Sequence, residues 1–484
     1  MQTALMKTLI IALLFATAFS ETLYGQKYKP IIEPFPAMVK ADPRLILKTG
    51  YLVVPENRNK PGGRKVKIPF LFVRKPDQDP RKNISLYTTG GPGYSTTLNI
   101  DSISYNSGFL AFGGFIAFDQ RGTKRAKPCL DCIGVASAIK RSYREGKDKD
   151  SLLLAAIMQC RNSFTKQGVD LSAYNTIESA EDMNDLRLAL NVDSLNLVGI
   201  SYSGGLMLTM ARIHPEGVRT LILNSPLPGY VNFEEHALFN INEALDQVFN
   251  NCEADSLASR YKNLRTRFHR YFTAINGKSF TIPYKENDST KSINVIYTKN
   301  ELLDAVINRL NSRQVNTVAG VMIDIIENRQ EKYVKEVLDE YFAGNAGISL
   351  GMRYSVYCTE QIAYSDPELE KQQALILPWL AGYPFNNVNH AICNCWQVTP
   401  EPKVAKQPVY SNIPALISAG DIDPDCRPFY NRLIKRYMPN CQLMIIHNKG
   451  HAPGFTVEGT DYVKSFLNNP YQKLTSQSKS VIVE

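Results

Sequence analysis

Leu195-Asn196-Leu197-Val198-Gly199-Ile200-Ser201-Tyr202-Ser203-Gly204-Gly205-Leu206-Met207-Leu208-Thr209-Met210-Ala211-Arg212 is the stretch on which the reading of this chain turns. Its first four residues read as a short buried strand, and Leu206 to Arg212 as a helix. A serine sits on the tight turn between them. Such a strand-to-helix turn, a nucleophile elbow, lifts the hydroxyl clear of the backbone and aims the following amide at a developing oxyanion. Small residues flank the serine because strand and helix nearly touch. The strict pattern G-x-S-x-G puts glycine two places after the serine, where this chain has Ser203. The frame Ser201-Tyr202-Ser203-Gly204-Gly205 also misses by one residue and would make Ser203 the nucleophile. Ser201 is favoured because it ends the apolar strand directly. The bland alternative is a serine-rich turn with no chemistry, and only suitably placed partners for the serine distinguish the two.

An acyl-transferring serine needs a base, an acid to orient it, and oxyanion donors. In α/β-hydrolases the acid and then the histidine follow the serine in chain order. Ile413 to Gly420 reads as a buried strand, followed by Asp421-Ile422-Asp423-Pro424. Asp423 is the better acid, and Asp421 is read as holding the loop through its own backbone. Gln442 to Ile446 is another strand, followed by His447-Asn448-Lys449-Gly450-His451. His451 is the better base, because Gly450 lets the loop bend and present the ring; His447 reads as a strand-end residue. His214, His236, His269 and His390 lack a matching strand-loop context. The second oxyanion donor is expected after the strand Ile84 to Thr89, in Gly90-Gly91-Pro92-Gly93, with Gly91 chosen beside the Tyr202 amide. Phe115 to Phe118 forms the next strand, and Asp119-Gln120-Arg121-Gly122 after it reads as an ion-pairing loop that braces this edge.

These motifs together resemble the proline iminopeptidase and tripeptidyl aminopeptidase family of serine exopeptidases. The resemblance is carried by Gly90-Gly91-Pro92-Gly93, Asp119-Gln120-Arg121-Gly122-Thr123, Gly199-Ile200-Ser201-Tyr202, Gly420-Asp421-Ile422-Asp423-Pro424 and Gly450-His451. Tyr174-Asn175-Thr176, Asp182 and Leu186-Arg187 resemble the helix before the elbow in the secreted branch, and Val356-Tyr357-Cys358-Thr359-Glu360 resembles part of its cap. The similarity runs from about Leu45 to Leu467. It implies Ser201 as nucleophile, Asp423 as orienting acid and His451 as base. Asp425-Cys426-Arg427 departs from the small and hydroxyl residues common after the acid. An exopeptidase of this kind must bind a free α-amino group, for which Glu360 is the chosen cap carboxylate.

The 484 residues exceed one sheet domain of typical size, so a large core with an insertion is the natural reading. The expected fold is α/β, a mostly parallel sheet flanked by helices under a mainly helical cap. Residues 1–20 read as a signal peptide: Lys7 precedes an apolar run, Leu9 to Phe19, too short to span a membrane. The core is expected over 26–229 and 409–470, the cap over 230–408, and a loose polar tail over 471–484. Ile46 to Arg58 and Lys65 to Val73 read as an antiparallel pair opening the sheet. Nine cysteines suit an oxidising compartment, periplasmic or extracellular. Plausible pairs are Cys129 or Cys132 with Cys160, Cys358 with Cys393 or Cys395, and Cys426 with Cys441. Zinc on Cys393-x-Cys395 and Cys129-x-x-Cys132 is set aside for want of four converging ligands, and no metal or cofactor is expected. The net charge of +9 is scattered rather than striped, which gives nucleic-acid binding no support.

The function expected is an exported serine aminopeptidase acting on peptides with free N-termini, without a membrane span. A carboxylesterase or acyl-amide hydrolase on the same machinery is the near alternative, and a non-catalytic binding protein the distant one.

Overall fold

Ten strands form one sheet: β1 (Ile31–Glu33), β2 (Ile46–Pro55), β3 (Lys65–Arg74), β4 (Ile84–Thr88), β5 (Phe115–Phe118), β6 (Leu195–Ile200), β7 (Val218–Asn224), β8 (Ala415–Gly420), β9 (Cys441–Ile446) and β10 (Val481–Val483). Their spatial order is β1-β2-β3-β5-β4-β6-β7-β8-β9-β10. The computed structural model describes residues 28–484 except 37–38, 255–257, 288, 312 and 386–387. The expected signal peptide, residues 1–20, lies outside the described residues.

The six strands from β5 to β9 in this order run parallel, and β1 to β3 and β10 join antiparallel. Strands covered on both faces need apolar side chains on both, and every residue of Ala415-Leu416-Ile417-Ser418-Ala419-Gly420 is buried. Leu197, Leu221 and Ile417 face a core built with the helices Thr176–Ala189 and Tyr202–Ile213. Val198, Ile222 and Leu416 face the opposite core with Tyr462 and Phe466. Chain order reverses between β4 and β6, so the loops after these two strands open at a topological switch point, where open α/β sheets bind ligands.

Among the described residues, eight α-helices lie between β7 and β8, from Ala237–Ala254 to His390–Trp396, together with an antiparallel pair, Ser279–Lys285 and Ser292–Thr298. This hairpin is an addition to the expected mainly helical insertion. It buries Ile282, Tyr284, Val295 and Tyr297 in a separate core shared with Phe268, Leu302 and Val306. The last part of the insertion belongs with the sheet instead: Met352, Tyr354 and Trp396 enter the core under it.

Disulfides join Cys132 to Cys160 and Cys358 to Cys393. The expected Cys426–Cys441 pair does not form. Cys441 opens β9 opposite Ala415, whereas Cys426 lies beyond the other end of β8, past Gly420. Six residues of strand, roughly 20 Å at about 3.3 Å each, separate these ends, and a disulfide needs its Cα atoms within about 7 Å. The expected loose tail is also corrected. Val481–Val483 pairs with Met444–Ile446 as the edge strand, and Glu484 pairs with Arg432 (2.7 Å).

The Asp119-Gln120-Arg121 loop does brace the edge. Asp119 accepts the Thr96 and Thr97 amides (2.6 and 2.8 Å), and Gln120 Nε2 donates to the Thr89 carbonyl (2.6 Å). Arg121, fully buried, donates from Nε and Nη2 to the two oxygens of Asp182 (2.7 Å each). Removing one partner of a buried pair leaves the other charge under-compensated. Arg121→Met should therefore cost about 3 kcal/mol, the low end for such a loss because Arg58 still reaches Asp182 (2.8 Å). Urea unfolding should show the drop as a lower midpoint at constant slope.

Candidate active site

The elbow carries backbone strain where the sequence pattern places it. Ser201 has φ 55° and ψ −126°, a conformation a non-glycine residue holds only when its surroundings enforce it. Here the Ser201 amide donates to the Asn224 carbonyl and the Leu227 amide to the Ser201 carbonyl (3.0 Å each). The glycine loop presses from the other side. A Cβ on Gly90 would stand 2.4 Å from the Ile200 carbonyl oxygen and 3.1 Å from Ser201 Cβ, so no other residue fits without moving the elbow.

Ser203 replaces the glycine of the strict pattern without disturbing this turn. It is fully buried, and its hydroxyl accepts the Ile200 amide (2.8 Å) while facing the Thr88 and Ile200 carbonyls (2.8 and 2.9 Å). The hydroxyl of Ser203 is thus engaged by backbone, whereas Ser201 lines a cavity of about 310 Å³.

His451 lines the same cavity. Its Nδ1 lies 2.9 Å from Asp423 Oδ2. The other oxygen of Asp423 accepts the Asp425 and Cys426 amides (2.9 Å each), which fixes the carboxylate's orientation. Burial alone would raise the Asp423 carboxyl, but the His451 ring, the Cys426 amide and the Ser225 hydroxyl outweigh it and hold it below its ordinary value. Burial likewise opposes charge on His451, yet the Asp423 carboxylate prevails and the ring titrates well above an ordinary histidine.

Gly450 earns its place for a reason other than bending. A Cβ there would stand 1.9 Å from the Leu310 carbonyl oxygen, to which the His451 amide donates (3.0 Å). The histidine loop is therefore docked on the insertion. Ser225, which the sequence pattern did not single out, accepts the Ala452 amide (3.1 Å) and hydrogen-bonds Asp423, tying the Asp423 loop to the His451 loop. Asp421 bonds the ring of His447 (2.6 Å), so this second pair stiffens the loop ends outside the cavity.

Tyr202 is the first residue of the elbow helix, and a helix's first amides have no acceptor within the helix. Gly90 and Gly91 line the cavity together with Ser201. Arg353 and Tyr357, one turn apart on the helix Leu350–Glu360, both donate to the Gly91 carbonyl (3.3 Å each) and hold that loop from above. With Phe233, they roof the cavity from the insertion.

Glu360 is not brought to this cavity. It ends the same helix beyond Tyr357, buried, and its Oε1 accepts the Thr176 amide (2.8 Å). Burial, then the nearby Glu401 carboxylate, raises its pKa well above the ordinary carboxylate range. The pair caps the helix Thr176–Ala189, since Glu401 accepts the next amide, that of Ile177 (3.0 Å). The carboxylate on the cavity lining is Asp425, its side chain 35% exposed. The departure at Asp425-Cys426-Arg427 was the signal that could have found it.

A parallel sheet carrying a serine elbow after β6, a buried acid after β8 and a histidine after β9 defines a hydrolase architecture. The chain belongs to the alpha/beta hydrolase fold family, which matches residues 114–456. Over 188 residues it is 25% identical to a tripeptidyl aminopeptidase of Streptomyces lividans, covering 37% of this chain and 35% of that protein. Over 215 residues it is 25% identical to the serine protease Hip1 of Mycobacterium tuberculosis, covering 43% and 41%. The chain thus spans well under half the length of the curated relatives it matches. Among solved structures, Est816, described as an N-acyl homoserine lactone degrading enzyme, covers 86% of this chain and 97% of its own, at 13% identity and a TM-score of 0.36. No helix among the described residues is long and apolar enough to cross a membrane.

Proposed function

We propose that this hydrolase is an exported serine aminopeptidase that releases one or a few residues from the free N-terminus of peptides. Ser201 attacks the scissile carbonyl, His451 takes its proton and passes it to the leaving amine, and Asp423 keeps the imidazole in the right tautomer. The Tyr202 and Gly91 amides receive the oxyanion. The observation that carries this reading is the shared cavity: Ser201 and His451 both line it, under a roof from the insertion that suits a chain end better than a folded protein. The names of the two peptidase relatives support the substrate class. The two disulfides suit export to an oxidising compartment.

In this reading Asp425, rather than Glu360, receives the substrate's ammonium, because it is the acid exposed to the cavity. The test compares an aminoacyl anilide with its N-acetyl twin. The free amine should be hydrolysed at least tenfold more efficiently, and Asp425→Asn should lower kcat/KM for it by about 10–100-fold, the scale of a charge-assisted hydrogen bond, while leaving the acetylated substrate unaffected. Equal rates on both substrates would transfer the assignment to an esterase or acyl-amide hydrolase.

A further inference from the structure

We propose that Asp423, Cys426 and His451 form a binding site for a soft divalent cation, represented by Zn²⁺, and that the bound ion reversibly arrests the enzyme; the arrest, though not the binding, rests on the serine hydrolase reading above. One ligand atom from each of the three residues lies within 4.8 Å of the others. Cys426 carries no disulfide, and its side chain reaches the His451 ring from the cavity lining. A thiol serves no step of the acyl-transfer chemistry, so its position at the base is not explained by the reaction.

Carboxylate, thiol and imidazole are donors that zinc accepts together, and three protein ligands leave a fourth position, here facing the cavity, for water. Zinc bonds of about 2.0–2.3 Å put tetrahedral donors about 3.5 Å apart, so the widest pair, within 4.8 Å, closes by about 1 Å while the Asp423–His451 pair, at 2.9 Å, opens by about half that. Thiolate and carboxylate together balance the ion's charge. On binding, the Cys426 thiol proton leaves to solvent, and the metal takes one nitrogen of His451. Because Asp423 faces Nδ1 at 2.9 Å, the metal binds there and the ring proton moves to Nε2. Nε2 then has no lone pair to accept the Ser201 proton, so the base is lost. Hard cations such as Mg²⁺ prefer oxygen ligands and should not compete.

The test uses the full chain, stripped of metal by a chelator, with Co²⁺ as a spectroscopic stand-in for Zn²⁺. Co²⁺ should give a near-ultraviolet thiolate-to-cobalt charge-transfer band that Zn²⁺ abolishes by displacement. Cys426→Ala and Cys426→Ser, checked for unchanged melting, should lose the band, and Cys441→Ala should keep it. Zn²⁺ should reduce hydrolysis by at least 100-fold, EDTA should restore it, and Mg²⁺ should have no effect. A missing band in protein that hydrolyses its substrate overturns the site, as does undiminished zinc sensitivity in Cys426→Ala. A Cys426-dependent band in protein without hydrolase activity supports the site and overturns the catalytic reading instead.

Discussion

In the proposed mechanism, Ser201→Ala should lower turnover of a free-amine peptide substrate by about 10⁶-fold, the scale of losing a triad nucleophile, with the melting temperature nearly unchanged. The size of the effect follows from position. Ser201 is the hydroxyl that the elbow exposes to the cavity, and a methyl group retains the packing but offers nothing to attack a carbonyl. Ser203→Ala gives the opposite pattern. It strips the Ile200 amide of its acceptor in a fully buried slot, so it should cost about 1–3 kcal/mol of stability while the chemistry persists. The two variants, measured side by side by kinetics and urea unfolding, separate the two frames of the elbow. Residual activity of Ser201→Ala near the wild-type level, with Ser203→Ala inactive but folded, would reverse the assignment.

Much of this arrangement was legible in the sequence because it is local. Each parallel strand is a short apolar run ended by polar or glycine residues, and the loops that follow β4, β6, β8 and β9 must open at the same sheet edge once those strands are parallel. The elbow, the acid and the histidine could therefore be read one strand at a time. What could not be read depends on contacts between distant segments. Leu310 against Gly450, Ser225 between two loops, and Arg353 with Tyr357 over Gly91 all join residues far apart in the chain. Glu360 lies on the right helix but past its cavity-facing turn, a matter of where the helix ends against Thr176. The edge strand Val481–Val483 is only three residues long, and its pairing is dictated by the open side of β9 rather than by its own pattern.

In the same proposed mechanism, Asp423→Asn should lower kcat by about 10⁴-fold, because an amide facing Nδ1 favours the tautomer that puts the proton on the wrong nitrogen. It also moves the acid limb of the pH profile. His451 must be neutral to accept the serine proton, and Asp423 holds its pKa well above 6.5, so kcat/KM of the wild type should rise with pH through a limb on the alkaline side of that value. Without the carboxylate the limb falls toward lower pH. Stability runs the other way. The lowered Asp423 pKa stabilises the fold above 3.8 and fades as pH falls through the lowered value; the raised His451 pKa stabilises it below 6.5 and fades as pH rises through the raised value. The ion pair should thus contribute fully between pH 3.8 and 6.5, below the raised His451 value and so on the low-activity side of the expected limb. Asp423→Asn should flatten this stability maximum while shifting the activity limb, and thermal melts across pH read one as kinetics read the other. An unshifted limb would assign it to a group other than His451.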